Sequence, residues 1–470
     1  MLQEEVSQTS NEGEQARGGF RERLLTRRNA LAYLPILIVV VLMFGYVAAR
    51  FLMNLPDRDL LRYQCYALTF WDGGGAVSVI PTYHCTFLSP ATLALPPLHA
   101  LPLEYPPLTL LIFTPALLAP AIYYPLAFAV LMAAITIFIY WLLLRYGPRG
   151  AALAFAFYML IGTLGLTESR FDVVPAALTL LCVITAQRKH WTAAYIALAF
   201  GFLLKIYPIL FLPALFIAEQ LDAGRFSQPP ENTALASLPG ELWRTLRGIA
   251  QWRWKNTLIF FGVIIIVTGM FAVLDFKGAV VSQLSYFAGR PVQVESTGST
   301  LLFLGALVGY PVKIVYTFGS INAESALGSP VALTFEVLFV LGYLFTILLQ
   351  WRGRLNMLQA FIAILFVFII TGKVFSPQYL IWLIPLLVYS GAYDRFWLIT
   401  WTLISVLTTF IYPWLYTRTP NGLAVPYLPG FLESVALRNA LLVALTLAYL
   451  FDWFRVRKRA SFQSANSPST

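Results

Sequence analysis

The sequence predicts an all-α polytopic membrane protein, and three observations carry that reading. Of 470 residues, 59% are hydrophobic and 11% charged, with a mean hydropathy of +0.72. A soluble domain carries roughly 25% charged residues, and this chain lacks the polar residues to build such a surface. The apolar residues also fall in long continuous runs, whereas a membrane barrel shows short alternating strands. A helix satisfies its own backbone hydrogen bonds in hydrocarbon. The net charge of +10, from 32 Lys+Arg against 22 Asp+Glu, reads first as topology. No basic stripe interleaved with aromatics lies on a soluble segment, so nucleic acid is excluded as a partner. Three cysteines and three histidines (His84, His99 and His190) make neither a disulfide scaffold nor a cysteine-cluster metal site.

Residues 1–29 are polar and end in Arg21, Arg23, Arg27 and Arg28, a cytoplasmic tail. The run 30–52 exceeds the roughly 20 residues that span a bilayer. It is too long, and its leader too extended, for a cleaved signal peptide, so it is a retained first helix. Further spans fall near 122–144, 151–166, 173–187, 191–204, 206–219, 257–275, 331–350, 356–372, 379–391, 396–414 and 435–454. That makes about twelve transmembrane helices, with both termini inside and a cytoplasmic tail over 456–470. Two apolar segments, 106–119 and 300–318, are broken or bounded by Pro or Gly. They read as short re-entrant or interfacial segments on the outer side. Counting them as spans gives fourteen and flips everything between them. The charge pattern favours twelve: 21 of the 32 Lys/Arg fall on inner segments and 11 on outer ones, the direction the positive-inside rule requires.

Two loops stand out. The loop 220–256 is cytoplasmic in this topology. Its stretch 241–254, ELWRTLRGIAQWRW, mixes Trp with Arg as an interfacial helix does. The first outer loop, 53–121, is the longest outer segment. It carries Asp57, Asp59, Asp72, His84 and Glu104, together with Cys65 and Cys85. These two cysteines either pair, in an oxidising compartment, or remain two thiols.

A gradient-driven transporter places ionisable groups along its helices. Here nearly all sit at helix ends or in loops, and Glu336 is the nearest exception. The outer helix ends collect Asp59, Arg170, Asp172, Lys205, Asp275 and Lys373. That pattern predicts a site at the outer membrane surface and not a path through it. Snorkelling of long cations to the headgroups is the competing explanation for each one. Recurrence at three separate outer turns, against the inward bias of positive charge, favours a site.

These residues sit in motifs. Asp59-Leu60-Leu61-Arg62-Tyr63 follows the first helix, and Tyr105-Pro106-Pro107-Leu108 closes the first loop. Arg170-Phe171-Asp172 precedes a helix. Lys205-Ile206-Tyr207-Pro208 fills a tight turn, and Phe375-Ser376-Pro377-Gln378-Tyr379-Leu380 follows Lys373, with Trp382 and Pro385 beyond. In order and spacing the chain, from about residue 30 to 455, resembles glycosyltransferase family 87. Those are multi-pass enzymes of GT-C-type architecture, related to polyprenol-phosphate-mannose-dependent mannosyltransferases. The resemblance implies a polyprenyl-phosphate sugar donor, an active site on the outer face of the cell membrane, and Asp59 as catalytic base; the acceptor is a glycolipid or glycan, a polysaccharide or a protein, and the sequence does not say which.

Elementary chemistry agrees. A transferase working outside the cytoplasmic membrane has no supply of nucleotide sugars and needs a lipid-linked donor. The leaving polyprenyl phosphate needs cations at headgroup depth, and Lys205, Lys373 and Arg170 are the candidates. The acceptor hydroxyl must lose its proton to a carboxylate within reach. Direct displacement inverts the anomeric centre and needs one base, without the carboxylate pair of a retaining glycosidase. Tyr105, Gln378, Tyr379 and Asp172 are the candidate sugar or acceptor contacts. Both tyrosines also suit an interfacial aromatic belt, and Gln378 suits a backbone cap. Asp57-Arg58-Asp59 has the D-x-D form that holds a divalent metal in some glycosyltransferases, though the reaction does not require one. Both aspartates also suit the capping of a loop helix. The alternative function is a membrane transporter or lipid-linked-sugar flippase, which should show a polar membrane-deep cavity and internal repeats; the sequence shows neither.

Overall fold

The computed structural model describes residues 27–451, apart from 54, 56, 227, 230–236, 420 and 421. Most of the two predicted tails therefore lies outside the described residues. The helices are α1 (Arg27–Leu52), α2 (Arg58–Asp72), α3 (Tyr124–Tyr146), α4 (Ala151–Gly162), α5 (Val173–Gln187), α6 (Trp191–Leu204), α7 (Leu212–Asp222), α8 (Leu238–Arg247) and α9 (Lys255–Leu274). They continue as α10 (Ser282–Gly289), α11 (Thr297–Ala306), α12 (Gly328–Trp351), α13 (Met357–Thr371), α14 (Tyr379–Tyr389), α15 (Arg395–Thr409) and α16 (Phe431–Leu450). One antiparallel hairpin, β1 (Lys313–Thr317) with β2 (Ser320–Glu324), lies between α11 and α12.

Six helical stretches are long and apolar enough to cross a membrane: Leu31–Leu52, Ala121–Tyr146, Lys255–Leu274, Gly328–Trp351, Arg395–Thr417 and Phe431–Leu450. The chain is thus a mostly helical, membrane-embedded protein. The other six predicted spans are also helical but run only 11 to 15 residues. The two classes occupy different places. Long α9 and α12 present apolar side chains outward, including Ile265, Ile266, Met270, Leu333 and Leu341. That is the surface a lipid-facing helix needs, since hydrocarbon does not penalise exposed Leu and Ile. The short helices fill the interior. Every residue of α14 is buried, and α13 is buried over nearly its whole length. The turns 163–172, 205–211 and 372–378 join short helices in pairs, α4 to α5, α6 to α7 and α13 to α14.

The predicted loop 53–121 has its own order. Asp57 caps α2, its carboxylate accepting from the backbone N–H of Asp59 (3.0 Å) and Leu60 (3.4 Å). A disulfide joins Cys65 on α2 to Cys85, with Cα atoms 5.7 Å apart, which decides between the two thiol readings. Tyr63 stacks on Phe113 at 4.3 Å between ring centres and touches Phe171 edge-on. This seats α2 on the segment Pro107–Leu118, a chain of short helical turns.

The segment 300–318 departs from the expected all-helical pattern. Its first part is α11, and its end is strand β1. Ile314, Val315 and Tyr316 are β-formers. Phe318 and Gly319 form a two-residue turn with φ of 50° and 68°, the handedness a tight hairpin demands. A Cβ at position 319 would sit 2.5 Å from the tip of the Arg62 side chain, which would have to give way, and the φ of 68° itself favours glycine there. In the 220–256 loop, α8 exposes Leu242, Trp243 and Leu246, as an interfacial helix requires.

Candidate functional site

A cavity of about 410 Å³ opens where the three short-helix turns meet α2 and the hairpin. Its size falls within the roughly 300–1,000 Å³ of small-molecule sites. All five sequence motifs reach it. Asp59, Tyr105, Arg170, Lys205, Gln378 and Tyr379 line its wall. These six were predicted from segments spread over more than 300 positions of the chain.

The two remaining candidates lie elsewhere. Asp172 is fully buried behind the wall. Its carboxylate accepts from the Lys205 ammonium at 2.6 Å and from the Trp382 indole N–H at 2.6 Å. It therefore orients two lining residues and cannot itself reach a sugar. Lys373 does not line the cavity. It pairs at 2.6 Å with Glu336 on α12, and its carbonyl accepts from the Gln293 N–H at 2.9 Å. Its charge is spent on fastening the turn to α12.

Trp382 organises the floor. It stacks between Tyr207 and Tyr379, each 4.1 Å away between ring centres. The Lys205 ammonium lies 5.3 Å from the Trp382 ring and 4.9 Å from Phe171. Aromatic faces stabilise a cation in this way and also stack on sugars. Burial pushes the Lys205 amine below its ordinary range, and the Asp172 carboxylate opposes that shift; Arg170 and Arg290 both add to the depression.

The carboxylates divide by task. Asp57 is held by the α2 N-terminus and by Arg50 at 3.6 Å. Asp59 does not cap the helix; it faces the cavity and pairs with Arg170. The D-x-D triplet therefore presents no pair of free carboxylates to a cation, and no group of three metal-ligating side chains occurs among the described residues. Glu104 pairs with Arg62 at 2.9 Å. Burial raises its carboxyl, and Arg62 counters the effect.

Several site residues carried no sequence signal. Behind the wall, fully buried Arg438 binds the Glu295 carboxylate at 3.0 Å and the Glu295 carbonyl at 2.6 Å. Tyr416 donates to the same carboxylate at 2.9 Å, and the Phe375 ring lies 4.0 Å beneath the guanidinium. This network locks the 372–378 turn to α16. Arg290, Tyr286, Tyr316 and Ser320 line the far side. Glu168, buried in the turn 163–172, has one carboxylate oxygen without a partner. Burial drives its carboxyl up to about 8. None of these stands in a recognisable spacing, because each depends on partners distant in sequence.

Neither a family model nor a curated protein matches this sequence.

Proposed function

We propose that the chain is an integral-membrane glycosyltransferase of the GT-C type. It transfers a hexose, mannose by the family resemblance, from a polyprenyl-phosphate donor to a glycolipid or glycan acceptor. In this reading the chain makes about twelve passes through the cell membrane, six of them by helices too short to span it without their adjoining turns, both termini are cytoplasmic, and the cavity opens on the outer face. The observation that carries the proposal is the convergence of five separate motifs on one cavity holding a carboxylate, partly buried cations and an aromatic floor.

The chemistry is a single displacement. The acceptor oxygen attacks the anomeric carbon as the bond to the phosphate oxygen breaks. The acceptor proton passes to Asp59, and the polyprenyl phosphate leaves with the bonding pair. Lys205 and Arg170 meet the charge growing on the phosphate. Their aspartate partners hold them in place beforehand, which removes the cost of reorganising them during reaction. Tyr379 and Tyr105 offer stacking faces, and Gln378 offers an amide to sugar hydroxyls. In the resting cavity Asp59 is held by Arg170. Once phosphate competes for Arg170, Asp59 is released as a base.

The test is transfer in membranes holding the full chain. Radiolabelled polyprenyl-phosphate mannose is added with envelope glycolipids of the host as acceptor. Label should pass to a lipid or glycan product with the wild type and not with Asp59→Asn. Equal transfer by both, or none by well-expressed wild type, would overturn the proposal.

A further inference from the structure

The cavity's charges pair off one by one, and the pairing leaves a remainder. Arg50 meets Asp57, Arg62 meets Glu104, Arg170 meets Asp59 and Lys205 meets Asp172. Glu295 is met by Arg438 from behind. Arg58 lines the rim and is exposed to solvent. Among the described residues, Arg290 is then the one partly buried cation of the cavity with no carboxylate in ion-pair range.

Arg290 is nevertheless held in place. One terminal N–H group donates to the Ser320 hydroxyl at 3.1 Å. Its guanidinium lies 5.3 Å from the Tyr286 ring, and that ring is fixed by its own hydroxyl donating to the Phe318 carbonyl at 2.6 Å. Its Nε is buried with no hydrogen-bond partner. A guanidinium offers five donors in a planar fork, and most of these are unused. Glu104 lies within electrostatic range of Arg290 but forms its ion pair with Arg62. Keeping a cation out of water without a carboxylate paired to it is costly, and a purely structural arginine would be expected to have found one. Arg290 also lies within electrostatic range of Lys205, as does Arg170, so three cations address one region.

We infer that Arg290, steadied by Ser320 and Tyr286, is the docking point for a phosphate group of the substrate. A tetrahedral phosphate presents several oxygens and can accept from the guanidinium fork and from an ammonium together. Arg290 thereby takes the role that the sequence pattern suggested for Lys373. The phosphate site rests on the charge pattern; only its assignment to the donor lipid rests on the transferase reading. The same chemistry would also suit a phosphate carried by the acceptor.

Binding measurements on the full chain in nanodiscs decide this. The probes are farnesyl phosphate, its uncharged counterpart farnesol, and water-soluble glycerol 3-phosphate. Arg290→Gln should weaken farnesyl phosphate by about tenfold or more, the usual effect of losing a charge-assisted hydrogen bond, and leave farnesol unchanged. Arg290→Lys should recover part of the loss, which excludes misfolding as the cause. Arg354→Gln, on an exposed inner turn, is the control. A loss confined to glycerol 3-phosphate would support the site and assign it to the acceptor. Wild-type affinity of Arg290→Gln for both phosphates would overturn it. Arg290-dependent binding together with a negative transfer assay would keep the site and remove the transferase.

Discussion

Asp57 and Asp59 are two residues apart, yet the backbone gives them different work. Asp57 has its carboxylate turned to the first N–H groups of α2, where a capping oxygen typically contributes about 1 kcal/mol. Asp59 sits two positions further on, inside the first turn of α2, and faces the cavity beside Arg170. Asp59→Asn should therefore lower turnover by about 10²–10⁴-fold, the usual consequence of losing a general base, with a smaller drop in melting midpoint because Arg170 then lacks its carboxylate. Asp57→Asn should largely keep turnover, since asparagine caps a helix almost as well. Initial rates and melting midpoints on both variants check this; the reverse pattern would move the base to Asp57. Glu168 makes a different prediction. Its carboxyl is driven up to about 8 by burial, from an ordinary 4.5. Between those values the folded chain keeps a proton that the unfolded chain has lost, so stability falls as pH rises across that window. Glu168→Gln removes the linkage. Its melting midpoint should vary less between pH 6 and pH 8 than that of the wild type, and parallel curves would show that Glu168 does not titrate as described.

At the scale of elements, the helices were readable because an apolar run long enough to be buried is hard to mistake. The ranges 173–187 and 191–204 coincide with α5 and α6. The turns at Arg170 and Lys205 were readable for the same reason, as charged breaks between such runs. The hairpin was not, because Ile314-Val315-Tyr316 is as apolar as a helix and only its β-branching and the Phe318-Gly319 turn betray it. Nor could pairing be read. Nothing local tells that Lys373 finds Glu336, or that Arg290 finds no carboxylate, since both follow from contacts across tens of residues. The disulfide belongs to this scale too. It closes a loop of 20 residues between α2 and the short turns after it, a constraint worth about 3 kcal/mol by loop entropy. Cys65→Ala/Cys85→Ala should melt at lower temperature than the wild type. Reductant should lower the wild-type midpoint and leave the double variant unmoved; an unmoved wild type would deny the bond a stabilising role.

For the whole molecule the open quantity is sidedness. The bias of 21 Lys/Arg inside to 11 outside predicts that a single cysteine at position 90 reacts with an impermeant reagent in intact cells. One at position 240, on α8, should react only after lysis. Labelling at 240 without labelling at 90 would invert the topology and carry the cavity to the cytoplasmic face.

The shortness of the central helices has a bearing on what the protein would recognise. At about 1.5 Å per residue, the 11 residues of α14 rise about 16 Å, roughly half of a hydrocarbon core of about 30 Å. The cavity occupies the end where those helices stop short. Under the proposed topology its floor is sunk towards the acyl region, and a sugar-bearing lipid slides in sideways with its tail still dissolved among neighbouring lipids. Were the proposed lipid-linked donor its substrate, the protein would grip the head group, and the remainder of the chain would be solvent to it. Donors of seven and eleven isoprene units should give the same kcat/KM when compared at equal density in the bilayer. A steep preference for one length would mean that a groove along the outer helices measures the tail.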